Sequence, residues 1–418
     1  MIPAPALRAL REALGTECVR EDEGTRVDGE PLAPTLRPAD AEALAEALRA
    51  LSRLSLACVI RGGGSRLELG NPPRGASLLL STASLAGIDE FDASEGVCHA
   101  RAGTPLAAIE ALVEPGGWQL PLDPPGISST LGGALAAAAL GPRAQGFGRP
   151  RDCVLGLEVV LADGSRTRCG GRVVKNVTGY DLNKLYTGSL GTLGVIEGAW
   201  LRLRPRPARV ALLEIAPDRL AAACAGALAA ARRPSARAAS LHSAPRRPGE
   251  RPFGVIVELA GDEASVERDK AWCESELGAT PAAASALERV RERQGTTPGG
   301  VGLRFRIAGP ASRSQVTLAS LWDAGAELLA HPGLGLVYAG FALPGLEDPA
   351  AADAAFRCTL AAAAAGGGAV LLESGPAWAK RGRDVFGDLA GALPLARELK
   401  RRFEPAGLLN PGRFAGYL

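Results

Sequence analysis

Three glycine-rich segments in the first half of the chain have residue types suited to binding an anion. The first, Arg61–Arg66, reads Arg-Gly-Gly-Gly-Ser-Arg and follows a short apolar stretch. Consecutive glycines lack Cβ atoms, so several backbone N–H groups can point into one concavity that suits a pyrophosphate. Gly70–Pro73 prevents a helix soon afterwards, which argues against a Rossmann fingerprint, and the Walker pattern is absent. Taken alone, the segment is a phosphate cradle or a tight turn.

The second segment, Asp123–Gly133, leads into a helix predicted over Leu131–Leu140 and made almost wholly of Ala, Gly and Leu. Ser128-Ser129-Thr130 can cap this helix. Small residues in a first helical turn let a ligand approach the free N–H groups and the positive end of the helix dipole. Tight packing of the helix on a sheet would demand the same small residues, so both interpretations stay open.

The third segment extends from Gly179 to Ile196 and contains glycines at positions 188, 191 and 194. Glycines at a spacing of three disfavour a helix, so this part is expected to be a loop whose backbone lies against another group. That group is either the adenine and ribose of a nucleotide or a neighbouring strand. Three such loops within some 130 residues favour one extended dinucleotide ligand.

Local patterns predict the elements that would position these loops. Apolar residues at spacings of three and four indicate helices, and an Asp-Gly pair between alternating stretches indicates a hairpin. The predicted helices are Pro38–Leu54, Pro105–Val113 and Leu131–Leu140, and the predicted strands are Leu56–Ile60, Ser77–Ser81, Cys98–Ala102, Val154–Leu161, Arg166–Cys169 and Trp200–Arg204.

A change of pattern at Arg204-Pro205-Arg206-Pro207 predicts a domain boundary. Strands and helices alternate beyond it, which suggests one sheet with helices on one face. The predicted strands are Val210–Ile215, Phe253–Ala260, Gly302–Ala308, Gly335–Phe341 and Ala369–Ser374, and the predicted helices are Asp218–Arg232, Glu263–Leu277, Arg313–Leu329 and Ala350–Ala365.

Composition excludes several classes of protein. Glycine and proline supply 84 of 418 residues (53 and 31), yet 47% of residues are hydrophobic and 22% are charged, so the chain is expected to fold rather than to be disordered. The net charge is only +2, and the basic residues form no tail or stripe along the chain, which argues against nucleic acid binding. The N-terminal residues lack the apolar stretch of a signal peptide. The longest uncharged apolar run, Cys358–Leu372, is shorter than the roughly 20 residues of a transmembrane helix and is interrupted by three glycines.

No metal site is expected from the sequence. The eight cysteines contain no Cys-x-x-Cys pair, and the three histidines, His99, His242 and His331, contain no His-x-x-x-His or Glu-x-x-His pair. This spacing argues against an iron–sulfur cluster or a structural zinc built within the chain. Scattered reduced thiols in a cytoplasmic protein are the favoured interpretation.

The order and content of the loops resemble the FAD-binding domain of the vanillyl-alcohol oxidase and para-cresol methylhydroxylase (PCMH) superfamily. The resemblance rests on Arg61–Arg66, Pro124–Gly133, Gly146–Gly164 and Gly188–Ile196. Lys175-Asn176-Val177-Thr178-Gly179-Tyr180-Asp181-Leu182, followed by Gly-Ser-Leu-Gly-Thr-Leu-Gly-Val-Ile, is most similar to the FAD-binding subunits of glycolate oxidases. Phe403-Glu404-Pro405 to Asn410-Pro411-Gly412 is similar to the superfamily's C-terminal segment, which returns to the flavin.

The resemblance implies an α+β, two-domain PCMH-type FAD-binding fold with an α/β cap domain built on a mainly antiparallel sheet. The expected parts are an FAD-binding domain (1–207), a cap domain for substrate or partner (208–396) and a C-terminal segment (397–418). The implied FAD contacts are Arg61, Gly62, Gly63, Gly64, Ser65 and Arg66 at the pyrophosphate, Asp123, Pro124, Ser128, Thr130, Leu131, Gly132 and Gly133 at the pyrophosphate and flavin ring, Gly148, then Asp181, Gly188, Gly191, Thr192, Gly194, Val195 and Ile196 at adenine and ribose, and Asn410 near the ring. Many relatives anchor FAD covalently through a histidine where this chain has Ser65, so we expect non-covalent FAD.

Catalytic residues are not identified by the sequence. The larger glycolate oxidase subunit and D-lactate dehydrogenases resemble one another in a His-x-Gly-Asp-Gly-Asn-like run, and this chain has only His331-Pro332-Gly333-Leu334-Gly335. We interpret His331 as a loop histidine before a strand. Arg304 and Arg306 share one face of a strand and could clamp a carboxylate, although a solvated sheet face is favoured. Glu373, Ser374 and Lys380–Arg383 have no assigned role.

The sequence therefore predicts the FAD-carrying subunit of a glycolate oxidase complex that oxidises glycolate to glyoxylate. A larger flavoprotein subunit and an iron–sulfur subunit would be its partners, and any membrane contact would be made through them. One alternative is a self-sufficient FAD-dependent dehydrogenase of another 2-hydroxy acid or a polyol. The other is a flavin-free assembly scaffold.

Overall fold

The computed structural model describes residues 2–21, 25–173, 180–243, 252–298, 300–345, 347–389 and 391–418. Its first layer contains α1 (Ala4–Leu14), β1 (Val19–Arg20), β2 (Thr25–Val27), β3 (Glu30–Leu32), β4 (Thr35–Leu36), α2 (Ala41–Leu54), β5 (Cys58–Arg61) and β6 (Leu78–Ser81). The sheet order is β1-β4-β6-β5, with β6 parallel to both of its neighbours, while β2 and β3 form a separate hairpin.

Helix α2 covers this small sheet. The helix predicted from Pro38 begins at Ala41, because the Asp40 carboxylate accepts a hydrogen bond from the Ala43 N–H (2.9 Å) and fixes the first turn. Its predicted apolar stripe is confirmed: Leu44, Leu48 and Leu51 are buried in one cluster with strand β6. Strand β5 is thereby held in place, and it ends at the first glycine loop.

The second layer contains β7 (Ile88–Asp92), β8 (Val97–Arg101), α3 (Leu106–Val113), β9 (Trp118–Gln119), α4 (Leu131–Ala136), α5 (Ala144–Phe147), α6 (Pro150–Cys153), β10 (Val154–Val160), β11 (Arg166–Gly170), α7 (Asn183–Tyr186), β12 (Val195–Arg202) and β13 (Arg204–Pro205). Five strands form an antiparallel sheet in the order β11-β10-β12-β8-β7. Helices α3 and α4 bury Ile109 and Leu135 against it.

The third layer contains β14 (Arg209–Ile215), α8 (Leu220–Ala231), β15 (Ala236–Ser243), β16 (Phe253–Gly261), α9 (Glu263–Leu277), β17 (Thr280–Pro281), α10 (Ala286–Gln294), β18 (Gly302–Ala308), α11 (Ser314–Asp323), β19 (Glu327–His331), β20 (Leu336–Ala342), α12 (Pro349–Gly366), β21 (Ala369–Ser374) and α13 (Ala377–Lys380). Its strands form one antiparallel sheet in the order β17-β14-β16-β15-β19-β20-β18-β21. The α+β prediction with a mainly antiparallel cap sheet is confirmed.

Most cap helices lie on one face of this sheet, as predicted. Helices α8, α9, α11 and α12 share the largest apolar cluster with alternate residues of the strands. Helix α10 is the exception, because it packs on the opposite face and buries Leu287 and Val290 beside Tyr338. That opposite face is the one that meets the FAD-binding half of the chain.

Several element predictions differ from the structure in their bounds or missed an element. Helix α4 ends at Ala136, not Leu140, and Ala138 has a φ of +44°. The helix predicted over Arg313–Leu329 ends at Asp323, because Gly325 has a φ of +83° and reverses the chain into β19. Strand β15 was missed, since small residues give Ala236–Ser243 no strong alternation.

The C-terminal segment returns to the first layer. After α14 (Leu393–Phe403), Leu409 forms a parallel bridge with Cys58, and the Asn410 N–H donates to the Cys58 carbonyl (2.9 Å). Residues near the C-terminus therefore lie beside the strand that leads into the first glycine loop. No helix in the described ranges is long and apolar enough to span a membrane.

Candidate functional site

A cavity of about 80 Å³ lies beneath the first glycine loop. Its walls are contributed by four parts of the chain that are distant in sequence. They comprise Val59–Leu67 at the end of β5, Thr130, Gly133, Ala136 and Ala137 around α4, and Leu190, Asn410 and Arg413. The structure thus brings parts of all three glycine segments and the C-terminal segment to one place.

The first and second glycine segments lie in direct contact. A Cβ atom on Gly62 would lie 2.4 Å from the Thr130 Oγ1, and one on Gly63 would lie 1.7 Å from the Ser128 carbonyl oxygen. The Gly63 N–H donates to the Thr130 Oγ1 (3.2 Å), so this hydroxyl serves the neighbouring loop and does not cap α4 as predicted. Glycine is required here for close approach of two backbones.

Asn410 joins the first and third segments. Its Oδ1 accepts from the Ile60 N–H (2.8 Å), and its Nδ2 donates to the Leu190 carbonyl (2.5 Å). The residue has a φ of +46°, in the left-handed region that asparagine tolerates better than most residues. Gly191 packs against the same amide, with its ideal Cβ position 3.0 Å from Nδ2.

An ion triad connects the first loop to the cap sheet. Glu373 on β21 is paired with Arg66 from the loop and with the Arg306 Nε on β18, the second pair at 2.7 Å. Burial opposes ionisation of Glu373, but the two guanidinium groups outweigh it and lower the pKa of this carboxyl. The loop and the cap are therefore joined by a buried carboxylate that stays ionised at neutral pH.

The cap face beside this triad contains further buried polar groups. The His331 Nδ1 lies 2.9 Å from the Ser240 hydroxyl, and the Gln294 Nε2 donates to the Tyr338 hydroxyl (2.8 Å). Burial lowers the pKa of His331 to about 4, so the ring is neutral at pH 7. His331 belongs to β19, and the prediction of a loop histidine is wrong.

Arg304 and Arg306 do not form a solvated sheet face. Arg304 is 1% exposed, donates from Nε to the Thr296 carbonyl (2.8 Å) and pairs with Glu327 (2.9 Å). Arg306 is half-buried in the triad. The two arginines share a strand face as predicted, but that face lies inside the molecule, so the favoured interpretation is wrong.

Asp123 and Pro124 lie on the other side of the second segment, in an outer cleft of about 490 Å³. The Asp123 carboxylate is paired with Arg143 (3.2 Å) and Arg291 (3.1 Å), and Arg143 is also bonded to Glu258 on β16 (3.0 Å). Burial raises the pKa of Asp123 against the effect of both arginines. This network joins the FAD-binding half to the cap.

The remaining predicted contacts are distributed over several environments. Leu131, Val195 and Ile196 belong to apolar cores, and Gly132 packs on Ala102. Asp181 is an exposed partner of Lys184 (3.0 Å). The predicted FAD contacts that line the cavity are Arg61–Arg66, Thr130, Gly133 and Asn410. Those that do not line the cavity also include Gly148, Gly188, Thr192 and Gly194. The Lys175–Gly179 part of the motif lies outside the described residues.

The donor set fits a dinucleotide that carries phosphate groups. The cavity is bounded by consecutive glycine backbone, by small residues at the start of α4 and by Arg61 and Arg66, whereas its lining contains no carboxylate in the described part of the chain. Positions 33–170 match the family model described as an FAD binding domain. The fold and the site thus define an FAD-binding oxidoreductase.

Whole-chain comparisons identify the family. The glycolate oxidase subunit GlcE of Escherichia coli K12 is 31% identical over 366 residues, which cover 85% of this chain and 91% of that protein. Mitochondrial D-2-hydroxyglutarate dehydrogenase of Bos taurus is 30% identical over 90% of this chain and 75% of its own length. The 4-ethylphenol oxidase of Gulosibacter chungangensis has a TM-score of 0.72 at 16% identity, covering 98% of this chain and 96% of that one. The chain belongs to the PCMH-type family of FAD-binding oxidoreductases, and FAD is its cofactor.

The sequence did not reveal the residues that join loop and cap. Glu373 and the pair of Arg143 with Glu258 were left without a role. Charged residues within otherwise apolar strands were the available signal, because such residues are seldom placed in a sheet without a partner. Their partners, however, lie 67 to 307 positions away in the chain.

Proposed function

We propose that this chain is the FAD-binding subunit of a complex that oxidises 2-hydroxy acids, with glycolate as the simplest substrate and glyoxylate as its product. A larger FAD-linked subunit and an iron–sulfur subunit would be its partners. The similarity to GlcE over 91% of that protein supports the assignment, and the second relative is named for another 2-hydroxy acid. The proposed parts remain an FAD-binding domain at 1–207, a cap at 208–396 and a returning segment at 397–418.

The observation that carries the proposal is the combination of a phosphate-binding glycine cradle with a cavity lining that contains no imidazole among the described residues. In the part of the chain that the structure describes, no histidine lines the cavity. His331 is 1% exposed and bonded to Ser240, and the described residues include no group of three or more His, Cys, Asp or Glu side chains that could hold a metal ion. A partner subunit would therefore supply the proton acceptor or the electron exit.

The residues around the cavity have separable tasks in this proposal. Bound FAD would supply a two-electron acceptor for the C–H bond next to the carboxylate. The Gly62–Gly64 backbone and Thr130 would hold the pyrophosphate, and Asn410 would keep the first and third segments in register. Arg306 would orient the carboxylate of the acid, while Glu373 fixes that guanidinium.

FAD attachment is proposed to be non-covalent. Ser65 occupies the place of the anchoring histidine, and its Oγ lies 3.1 Å from the Ser129 Oγ, engaged with the second segment. Acid precipitation of the yellow protein should release all FAD into the supernatant. Flavin fluorescence that stays on the washed, denatured chain would overturn this expectation.

Purification of the chain alone and together with its co-purifying proteins tests the function. We expect the isolated chain to bind FAD and to absorb near 450 nm, and we expect that neither glycolate nor D-lactate bleaches this absorbance. In a complex with a larger flavoprotein and a cysteine-rich subunit, the same acids should bleach the flavin absorbance. Bleaching of the isolated chain would favour a self-sufficient 2-hydroxy acid dehydrogenase. A colourless, monodisperse chain that FAD cannot reconstitute would favour an assembly scaffold.

The self-sufficient alternative has one specific observation in its favour. Arg306 lies on the cap face beside the first glycine loop. The relative from Bos taurus, which is named as a dehydrogenase, aligns over 90% of this chain. The bleaching experiment on the isolated chain distinguishes the two.

A further inference from the structure

A second cleft of about 330 Å³ opens between the FAD-binding half and the cap. One wall is formed by Ala138, Leu140 and Thr187, which follow α4 and α7, and the other by residues of β18, β20 and β21. Its apolar lining includes Leu336, Leu371, Phe386 and Leu389. Such a wall stabilises hydrocarbon that is removed from water.

The cleft is positively charged. Its lining contains Arg149, Arg151 and Arg306 and no carboxylate in the described ranges. Arg149 and Arg151 are exposed at the rim, whereas the Arg306 side chain is only 21% exposed. The Arg306 Nε is held by Glu373, and no protein acceptor is recorded for its two terminal nitrogens among the described residues, so they are available to a bound carboxylate.

One further polar group in the lining lacks a partner. Thr187 is 9% exposed, and its Oγ1 makes no hydrogen bond within the described structure. Because this oxygen has almost no surface open to solvent, a ligand in the cleft does not reach it, and Arg306 is the half-buried polar side chain that faces the cleft.

The cleft lies next to the cavity beneath the first glycine loop. Ala136 and Ala137 line the cavity, and Ala138, the next residue, lines the cleft. The ion triad marks the same boundary, because Arg66 lines the cavity, Arg306 lines the cleft and Glu373 joins them. A carboxylate held by Arg306 would thus be at the end of the cleft nearest the cavity beneath the first glycine loop.

We propose that this cleft binds the substrate and selects 2-hydroxy acids that carry a hydrocarbon side chain of several carbons. The carboxylate binds the terminal nitrogens of Arg306, and the side chain extends along Leu336, Leu371 and Leu389 toward the rim. Glycolate, which has no side chain, leaves most of the 330 Å³ unfilled. The assignment rests on the proposed 2-hydroxy acid oxidation and specifies its substrate class.

Binding of the 2-oxo acid products to the FAD-loaded chain tests the cleft without turnover. Isothermal titration calorimetry with glyoxylate, pyruvate, 2-oxobutanoate and 2-oxohexanoate should show Kd falling about three- to fourfold per added methylene. The total gain from glyoxylate to 2-oxohexanoate, over four added methylenes, should reach about 80- to 250-fold. A Kd that is constant along the series, or binding of none of the four acids, would overturn the proposal.

Two variants separate the head and tail contacts. Ala308 is exposed at the rim, so Ala308→Trp should obstruct the cleft, leave the glyoxylate Kd within about threefold and abolish most of the gain with length. Arg306→Gln should raise every Kd at least about tenfold while the gain with length persists, and Arg306→Lys should recover part of the loss. Val316→Trp, at an exposed position of α11, is the matched control and should behave like the unaltered chain.

The outcomes distinguish this inference from the proposed function. In one outcome, binding depends on chain length and this dependence is lost in Ala308→Trp, but no 2-hydroxy acid reduces the flavin even in the complex. That outcome would support the cleft as a binding site and overturn the proposed function. Reduction of the flavin by glycolate combined with a length-dependent Kd that survives in Ala308→Trp would overturn only the cleft.

Discussion

The first glycine loop, Arg61–Arg66 (loop one), requires positions that lack a Cβ atom. At Gly63 an added methyl group would meet the Ser128 carbonyl oxygen at 1.7 Å, and backbone on both sides prevents the neighbour from moving away as a flexible side chain could. The Gly63 N–H donates to the Thr130 hydroxyl, and this bond fixes the loop that is expected to face phosphate. Structure and cofactor binding therefore constrain the same residue.

We expect Gly63→Ala to lower the unfolding free energy by about 1–3 kcal/mol, as overpacking typically does, and to weaken FAD binding by at least tenfold. Thermal unfolding and titration with FAD measure the two effects. Gly345→Ala is the control, because a Cβ there has no heavy atom within 4 Å and φ is not positive. Equal FAD affinity in both variants would contradict the assignment of loop one.

His331 makes stability depend on pH. Its folded-state pKa is about 4, below the ordinary 6.5, because burial disfavours the charged ring. The unfolded chain therefore takes up the proton first, and the stabilisation present above pH 6.5 is lost as pH falls toward 4. The difference corresponds to about 3 kcal/mol at full protonation.

Chemical denaturation between pH 7 and pH 4 measures this effect. We expect the unfolding free energy of the unaltered chain to fall over that range, and the fall to shrink by up to about 3 kcal/mol in His331→Asn. The variant removes the titrating ring, although the loss of the Ser240 hydrogen bond also lowers its stability at pH 7. Parallel pH curves for the two proteins would show that His331 is not the group responsible.

At the scale of elements, the triad of Arg66, Glu373 and Arg306 attaches loop one to strands β18 and β21. Removal of the central carboxylate would leave two guanidinium groups near each other with no anion between them. We expect Glu373→Gln to lower the unfolding free energy by about 3–5 kcal/mol, since breaking a buried pair exposes the full desolvation cost of the remaining charge.

An exposed pair provides the comparison. Glu398 on α14 is paired with Arg401 and Arg402, whose side chains are largely in solvent. Glu398→Gln should change the unfolding free energy by less than about 1 kcal/mol, as exposed pairs usually do. Calorimetric melting of both variants measures the contrast, and losses of similar size would mean that the triad adds nothing beyond a surface pair.

At the scale of the molecule, one carboxylate links three distant parts of the chain. Asp28, after β2, pairs with Lys380 of the cap (2.5 Å) and with Arg413 of the C-terminal segment (3.0 Å), and all three side chains are at most 5% exposed. The N-terminal hairpin, the cap and the returning segment therefore share one buried charge cluster. We expect this cluster to couple the unfolding of the cap to that of the FAD-binding half.

Asp28→Asn should lower the melting temperature by several degrees and divide one calorimetric transition into two, because a buried pair broken on one side costs about 3–5 kcal/mol. Addition of FAD should then raise only the transition of the FAD-binding half. A single transition in the variant, displaced but undivided, would mean that other contacts across the interface suffice for coupling.

The sequence allowed most individual elements to be predicted. The strands Gly302–Ala308 and Ala369–Ser374 and the helix Glu263–Leu277 have the predicted bounds, because each contains a strong local pattern between turn residues. Strand β15 and helix α10 were missed, because small or charged residues give little periodicity until a neighbour covers one face. A sequence pattern reports the local preference for helix or strand. Where that preference is weak, packing against neighbouring elements determines the secondary structure.

By itself, the sequence determined that the chain folds as an α+β protein and carries a PCMH-type FAD-binding motif, because glycine spacing and strand order are local properties of the chain. Only the tertiary structure decided what the charged residues of the second half do. Arg306, Glu373 and Asp28 obtain their partners from positions about 70 to 385 residues away, and the same side chains would be solvated on an isolated strand or loop. Charge pairing and burial depend on distance in space, which a linear pattern does not contain.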